Sequence, residues 1–112
     1  MSKKTNDIEH VRNEVKAKLL EDGFVEDDYF AIITELCVYR IMHSPSLFSP
    51  MKLIDCYEGM ASQASTINSI KTKVNQGFRK VSATRKANGL SGFTVNGYTA
   101  KLVFDMGGCN PS

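Results

Sequence analysis

The most apolar run in the chain is YFAIITELCVYRIM, over residues 29–42. Built as a helix, it carries apolar side chains on nearly every side, because Ile32, Ile33, Leu36, Val38, Tyr39, Ile41 and Met42 do not share one stripe. A surface helix would show one such stripe. The run therefore predicts a central helix over 29–43, wrapped by other elements or by a second copy of the protein. Within it, only Thr34, Glu35 and Arg40 require water or a polar partner.

Upstream, Ile8, Val11, Val15 and Leu19 recur at helical spacing and predict a first helix with one buried stripe. Thr5 or Asn6 suits its cap, and Gly23 suits a left-handed stop. Glu26, Asp27 and Asp28 precede the central helix. Acids there complement the helix dipole, and Asp27 or Asp28 can cap it. That account is preferred to a metal or acid–base site, since no second acidic cluster completes one. Ser44-Pro45 ends the central helix. In the connector 44–49, Leu47 and Phe48 are expected to plug the end of the core, and Ser49-Pro50 to start the next helix.

That third helix is expected over 50–76, because Leu53, Tyr57, Met60, Ala64, Ile67, Lys71 and Val74 alternate four and three apart. Gly59 marks a kink or a break, and Gly77 suits the position just past the end. Residues 78–87 read as a further short helix stopped by Asn88-Gly89. Asn96-Gly97 then predicts a two-residue hairpin turn, as both residues tolerate positive φ. Folding about it gathers Phe93, Val95, Tyr98, Ala100, Leu102 and Phe104 on one face. The expected architecture is α+β: three to four helices around the central helix 29–43, followed by a C-terminal β-hairpin at about 91–104. One domain spans 1–112, with 1–4 and 108–112 frayed.

Composition narrows the function classes. No stretch approaches the roughly 20 apolar residues of a membrane span, and no apolar run follows the basic start as in a secretory signal. Cys37, Cys56 and Cys109 make an odd number, which fits reduced thiols in a cytoplasm. Without a C-x-x-C, and with His10 and His43 not spaced to join a cysteine pair, no metal or cofactor site is expected. Nucleophile motifs are missing too, and Gly89-Leu90-Ser91-Gly92 lacks the lysine of a P-loop. A small enzyme is therefore the third reading.

Charge changes the picture most. Residues 1–58 hold 7 Lys/Arg and 11 Asp/Glu, a balance of −4; residues 59–112 hold 7 Lys/Arg and only Asp105, a balance of +6. Such asymmetry points to an anionic partner. Lys71, Lys73, Arg79, Lys80, Arg85, Lys86 and Lys101 are the candidate phosphate contacts, with Gln63, Thr66 and Asn68 as candidate base contacts. A helix, a basic segment and a hairpin would suit a helix-turn-helix with a wing. The first reading is thus a non-catalytic, homodimeric nucleic-acid-binding or regulatory protein, with DNA ahead of RNA. The alternative is a homodimeric interaction module, inhibitor or adaptor that binds an acidic protein surface. Phe78, Phe93 and Phe104 read as core residues, which leaves few aromatics to stack single-stranded bases.

Overall fold

The computed structural model describes residues 3–106, with side chains from residue 8 onward. It contains five helices: α1 (Lys3–Glu21), α2 (Phe30–His43), α3 (Leu53–Met60), α4 (Ile67–Ala87) and α5 (Val95–Asp105). No strand or sheet occurs among the described residues. The frayed ends expected at 1–4 and 108–112 lie outside this range, except residues 3 and 4, which open α1.

α2 is the central rod. It packs against each of the other four helices and buries Phe30, Ile33, Leu36, Cys37, Val38 and Ile41. Thr34, Glu35 and Arg40 each find a partner. Thr34 Oγ1 donates to its own helix at the Phe30 carbonyl (2.8 Å), and Glu35 accepts from Arg12 (2.9 Å). Arg40 donates to the carbonyls of Met51 and Asn96 and to Thr99 Oγ1.

α1 lays Val11, Val15 and Leu19 on this rod, all fully buried, while Ile8 at the far end of the stripe is 37% exposed. Gly23 stops α1 at φ +104. The Phe24 N–H reaches back to the Leu19 carbonyl and the Gly23 N–H to that of Leu20, so two orphan carbonyls are satisfied and Phe24 is driven inward onto the core. Asp27 accepts from the Tyr29 N–H (2.9 Å) in the turn before α2, but the N-cap is Tyr29 and no side chain caps the helix, contrary to the expectation for Asp27 or Asp28.

Several expectations are overturned. The single helix over 50–76 is two. Lys52 is the N-cap of α3, so Ser49-Pro50 lies in the connector. The chain leaves helical geometry at Ala61 and restarts at Thr66, whose hydroxyl accepts from the Ser69 N–H (3.2 Å). α4 then runs straight through Gly77 to Ala87 and takes in the segment 78–87. Gly77 is not a stop. It is an interior contact point where an added Cβ would lie 2.9 Å from Tyr29 Cβ, so it allows α4 to approach the start of α2.

The β-hairpin does not form, which makes the fold all-helical. Residues 95–105 are α5, whose Thr94 hydroxyl accepts from the Gly97 N–H (3.1 Å) and thereby caps it. Asn96-Gly97 occupies the first helical turn. Tyr98, Thr99, Leu102, Val103 and Met106 are buried, at spacings of one, three, one and three, which is a helical stripe. The same letters also alternate, but burying Thr99 and Val103 while exposing Phe104 (56%) fits only the 3.6 period.

Phe48 does not plug the core. The Ser49 N–H bonds to the Ser46 carbonyl, closing a tight turn with Leu47 and Phe48 at its tip. Ser44 Oγ donates to the Arg40 carbonyl and accepts from the Met51 N–H, which pins both ends of the loop. Phe48 is left 83% exposed, and its ring meets that of Phe104 edge-on at 6.1 Å.

Candidate nucleic-acid interface

α4 supplies six of the seven candidate cations and contains no acid. It buries Ile70, Val74, Gly77, Phe78 and Val81, so the charges must distribute over the remaining arc. At about 100° per residue, Asn68, Lys71, Asn75, Arg79 and Lys86 fall within an arc of roughly 80°. All five are exposed. Lys73 and Lys80 fall more than about 100° away on the opposite flank. The stripe from Lys71 to Lys86 is about 22 Å long at 1.5 Å per residue.

The two flanks differ in their neighbours. Lys80 Nζ sits 2.6 Å from Asp27 Oδ2, and that hydrogen bond raises its pKa. Its ammonium also lies over the Tyr29 ring at 5.6 Å. Lys101, on α5, is paired with Asp105 one turn on (3.0 Å), with the same effect on its pKa. Arg85 folds back: its Nε donates to the Ser91 carbonyl (2.7 Å) and its guanidinium covers the Phe93 ring at 4.2 Å. Lys71, Lys73, Arg79 and Lys86 make no ion pair among the described residues.

The seven cations are therefore not one patch. The structure brings together Lys71, Arg79 and Lys86, adds Asn68 and Asn75, and separates Lys73, Lys80 and Lys101. Thr66 uses its hydroxyl as the α4 cap. Gln63 is exposed in the connector between α3 and α4. Without a hairpin there is no wing, and the helix-turn-helix with a wing is withdrawn.

The stripe runs beside the start of α5. Asn75, Phe78, Arg79, Ser82, Phe93 and Thr94 line an open groove there. Ser82 fixes its far wall, since its hydroxyl donates to the Phe93 carbonyl (3.1 Å) and accepts from the Phe93 N–H (2.9 Å). Phe93 is half-buried and packs against the core on Phe24 and Tyr98, in keeping with its reading as a core residue. Phe104, by contrast, is exposed on α5 beside Phe48, contrary to its reading as a core residue. Sequence reasoning missed Phe93 as a site residue because its placement depends on Ser82, eleven residues away on α4. No local pattern signals such a contact.

Among the described residues no group of three or more His, Cys, Asp or Glu is placed to hold a metal ion, and no helix is long and apolar enough to cross a membrane. Comparison with family models, curated proteins and solved structures finds no match to this chain.

Proposed function

We propose that this chain is a non-catalytic nucleic-acid-binding protein of regulatory type that grips phosphates with the acid-free flank of α4. The observation that carries this reading is the stripe of Lys71, Arg79 and Lys86, exposed and without ion pairs among the described residues, interleaved with Asn68 and Asn75. Cations in a row along a rigid helix neutralise successive phosphates and release counterions, while amides hydrogen-bond the backbone or base edges. DNA stands ahead of RNA as the partner. The buried thiols Cys37 and Cys56, both free, support a cytoplasmic setting.

A salt titration of binding to a short oligonucleotide tests it. Three phosphate contacts should give a slope of log affinity against log salt of about −2 to −3. The triple variant K71A/R79A/K86A should lose most of the affinity and flatten the slope, while K73A should change either far less. Binding that ignores salt, or that survives the triple variant, would overturn the reading.

A second reading, a homodimer or protein-binding module, is favoured by one observation: Phe48 and Phe104 form an exposed aromatic pair. Large apolar residues grouped at a surface mark interaction sites. Light scattering of the wild type beside F48S separates the two. A mass that drops to the monomer in F48S, with no nucleic-acid binding by the wild type, would favour the second reading.

A further inference from the structure

A cavity of about 450 Å³ opens where the end of α1, the end of α4 and the start of α5 meet. Asp22, Arg85, Phe93, Tyr98 and Lys101 are among its walls. The size falls within the roughly 300–1,000 Å³ of small-ligand sites. Its chemistry is unusual for a surface depression, because it presents opposite charges that do not pair with one another. Asp22 accepts from the Tyr98 hydroxyl through Oδ2 (2.6 Å), and its other oxygen has no partner among the described residues. Arg85 uses Nε on the Ser91 carbonyl and its face on Phe93, which leaves both terminal nitrogens without acceptors among the described residues. Both groups are held in place by these contacts. Behind them the Phe93 and Tyr98 rings pack on each other, 4.7 Å apart and tilted by 43°, with Arg85 covering a face of Phe93.

We infer that this cavity receives one unpaired nucleobase of a bound strand, guanine before the other three. The inference rests on the nucleic-acid reading of α4 and gives it a point of base recognition. A carboxylate oxygen and a guanidinium fork match the two hydrogen-bonding edges of guanine. Its N1–H and N2 amine donate to a carboxylate, and its O6 and N7 together accept from a guanidinium. Adenine offers N7 but no second acceptor beside it, and the pyrimidines lack the Hoogsteen acceptor pair. The position suits a strand on the α4 stripe, because this cavity and the Arg79 groove share Phe93 and Thr94 as walls. Phosphates along Lys71, Arg79 and Lys86 would leave a base free to turn inward at Phe93. Such recognition belongs to unpaired bases, whose edges are open on both sides.

The test is fluorescence anisotropy with the full chain and labelled thymidine decamers that differ only at one central position. With wild-type protein, a central guanine should bind about fivefold or more tighter than inosine, which lacks the N2 amine, and than 7-deazaguanine, which lacks N7. D22N, which turns an acceptor into an amide donor, should abolish the guanine-over-inosine preference. R85K, which replaces the fork by a point charge, should abolish the preference over 7-deazaguanine. Equal affinity for the three strands would overturn the base pocket and leave the phosphate reading of α4 standing. No binding to any strand at low salt would overturn both. The comparison of bases uses wild-type protein, so the outcome holds even if a variant fails to fold.

Discussion

Lys80 Nζ lies 2.6 Å from Asp27 Oδ2, so one cation of the basic helix is held by the acidic segment that opens α2. This is the only described ion pair that joins the positive half of the chain to the negative half. It splits the basic surface of α4 into a tethered flank and a free one.

Two outcomes follow for D27N, in which the asparagine still accepts from the Tyr29 N–H. Burial alone would raise the Asp27 carboxyl, but the hydrogen bonds from Lys80 and the Tyr29 N–H outweigh it and hold the folded value below the ordinary 3.8. A depressed carboxyl stabilises the fold above its unfolded value and loses that contribution as pH falls through the folded one. The wild-type unfolding midpoint should therefore drop more steeply below pH 4 than that of D27N. The same substitution frees Lys80, but on the flank away from Lys71, Arg79 and Lys86, so oligonucleotide affinity at low salt should change by less than about twofold. Anisotropy that shows a clear gain would mean that the binding surface extends to Lys80.

Arg40 is 4% exposed and has no carboxylate partner among the described residues, and burial lowers its pKa. It serves as a clamp with three acceptors: the Met51 carbonyl (2.8 Å), the Asn96 carbonyl (3.0 Å) and Thr99 Oγ1 (2.7 Å). It thereby ties α2 to both the connector before α3 and the first turn of α5. R40A would strand these groups and should cost about 3 kcal/mol or more, read from urea unfolding. T99V removes one partner and should cost about 1 to 2 kcal/mol. The double variant should lose less than the sum, because the two residues share one network.

Thr94 decides between helix and hairpin for the C-terminal segment. Its hydroxyl closes the first turn of α5, so T94A should cost about 1 kcal/mol and fray residues 95–98, seen as lost amide protection. A hairpin would tolerate this change. The segment was misread because two periods fit its letters. Alternation about Asn96-Gly97 sorts the apolar residues as neatly as a helical stripe does, and the turn signal is local. The deciding partners, Arg40 on α2 and Asp22 after α1, are 59 and 76 residues away in sequence. By contrast the central helix, the α1 stripe and the Gly23 stop were legible, because each rests on spacing within one turn or two. The cations were legible as an inventory. Which of them share a flank depended on α4 running unbroken through Gly77, where the sequence signals a stop.

Gly77 checks that point directly. A helix interior favours alanine over glycine by roughly 1 kcal/mol. Here the added Cβ would meet Tyr29 Cβ at 2.9 Å and the tip of Ile33, in a packed α2–α4 contact. Overpacking of this kind costs about 1 to 3 kcal/mol. G77A should thus be destabilising in thermal unfolding despite its better helix propensity. A stabilised G77A would mean that α4 does not approach α2 as closely as described.

Alkaline pH probes the buried thiol and hydroxyl groups of the core. Burial pushes the Cys37 thiol from 9.0 up to about 12, only partly offset by nearby Arg40. It also moves the Tyr57 hydroxyl from 10.0 up to about 12, with Cys56 adding to the shift. Between the unfolded and folded values the unfolded chain loses its proton while the folded chain keeps it, so the folded state holds more protons and stability falls as pH rises. The contribution is fully present below pH 9 and declines above it, by up to about 1.4 kcal/mol per pH unit for each group. Urea midpoints between pH 8 and 10.5 should fall along this slope. C37A, although less stable at neutral pH, should show a shallower decline. Identical pH slopes for wild type and C37A would mean that the Cys37 thiol is open to solvent in the folded protein.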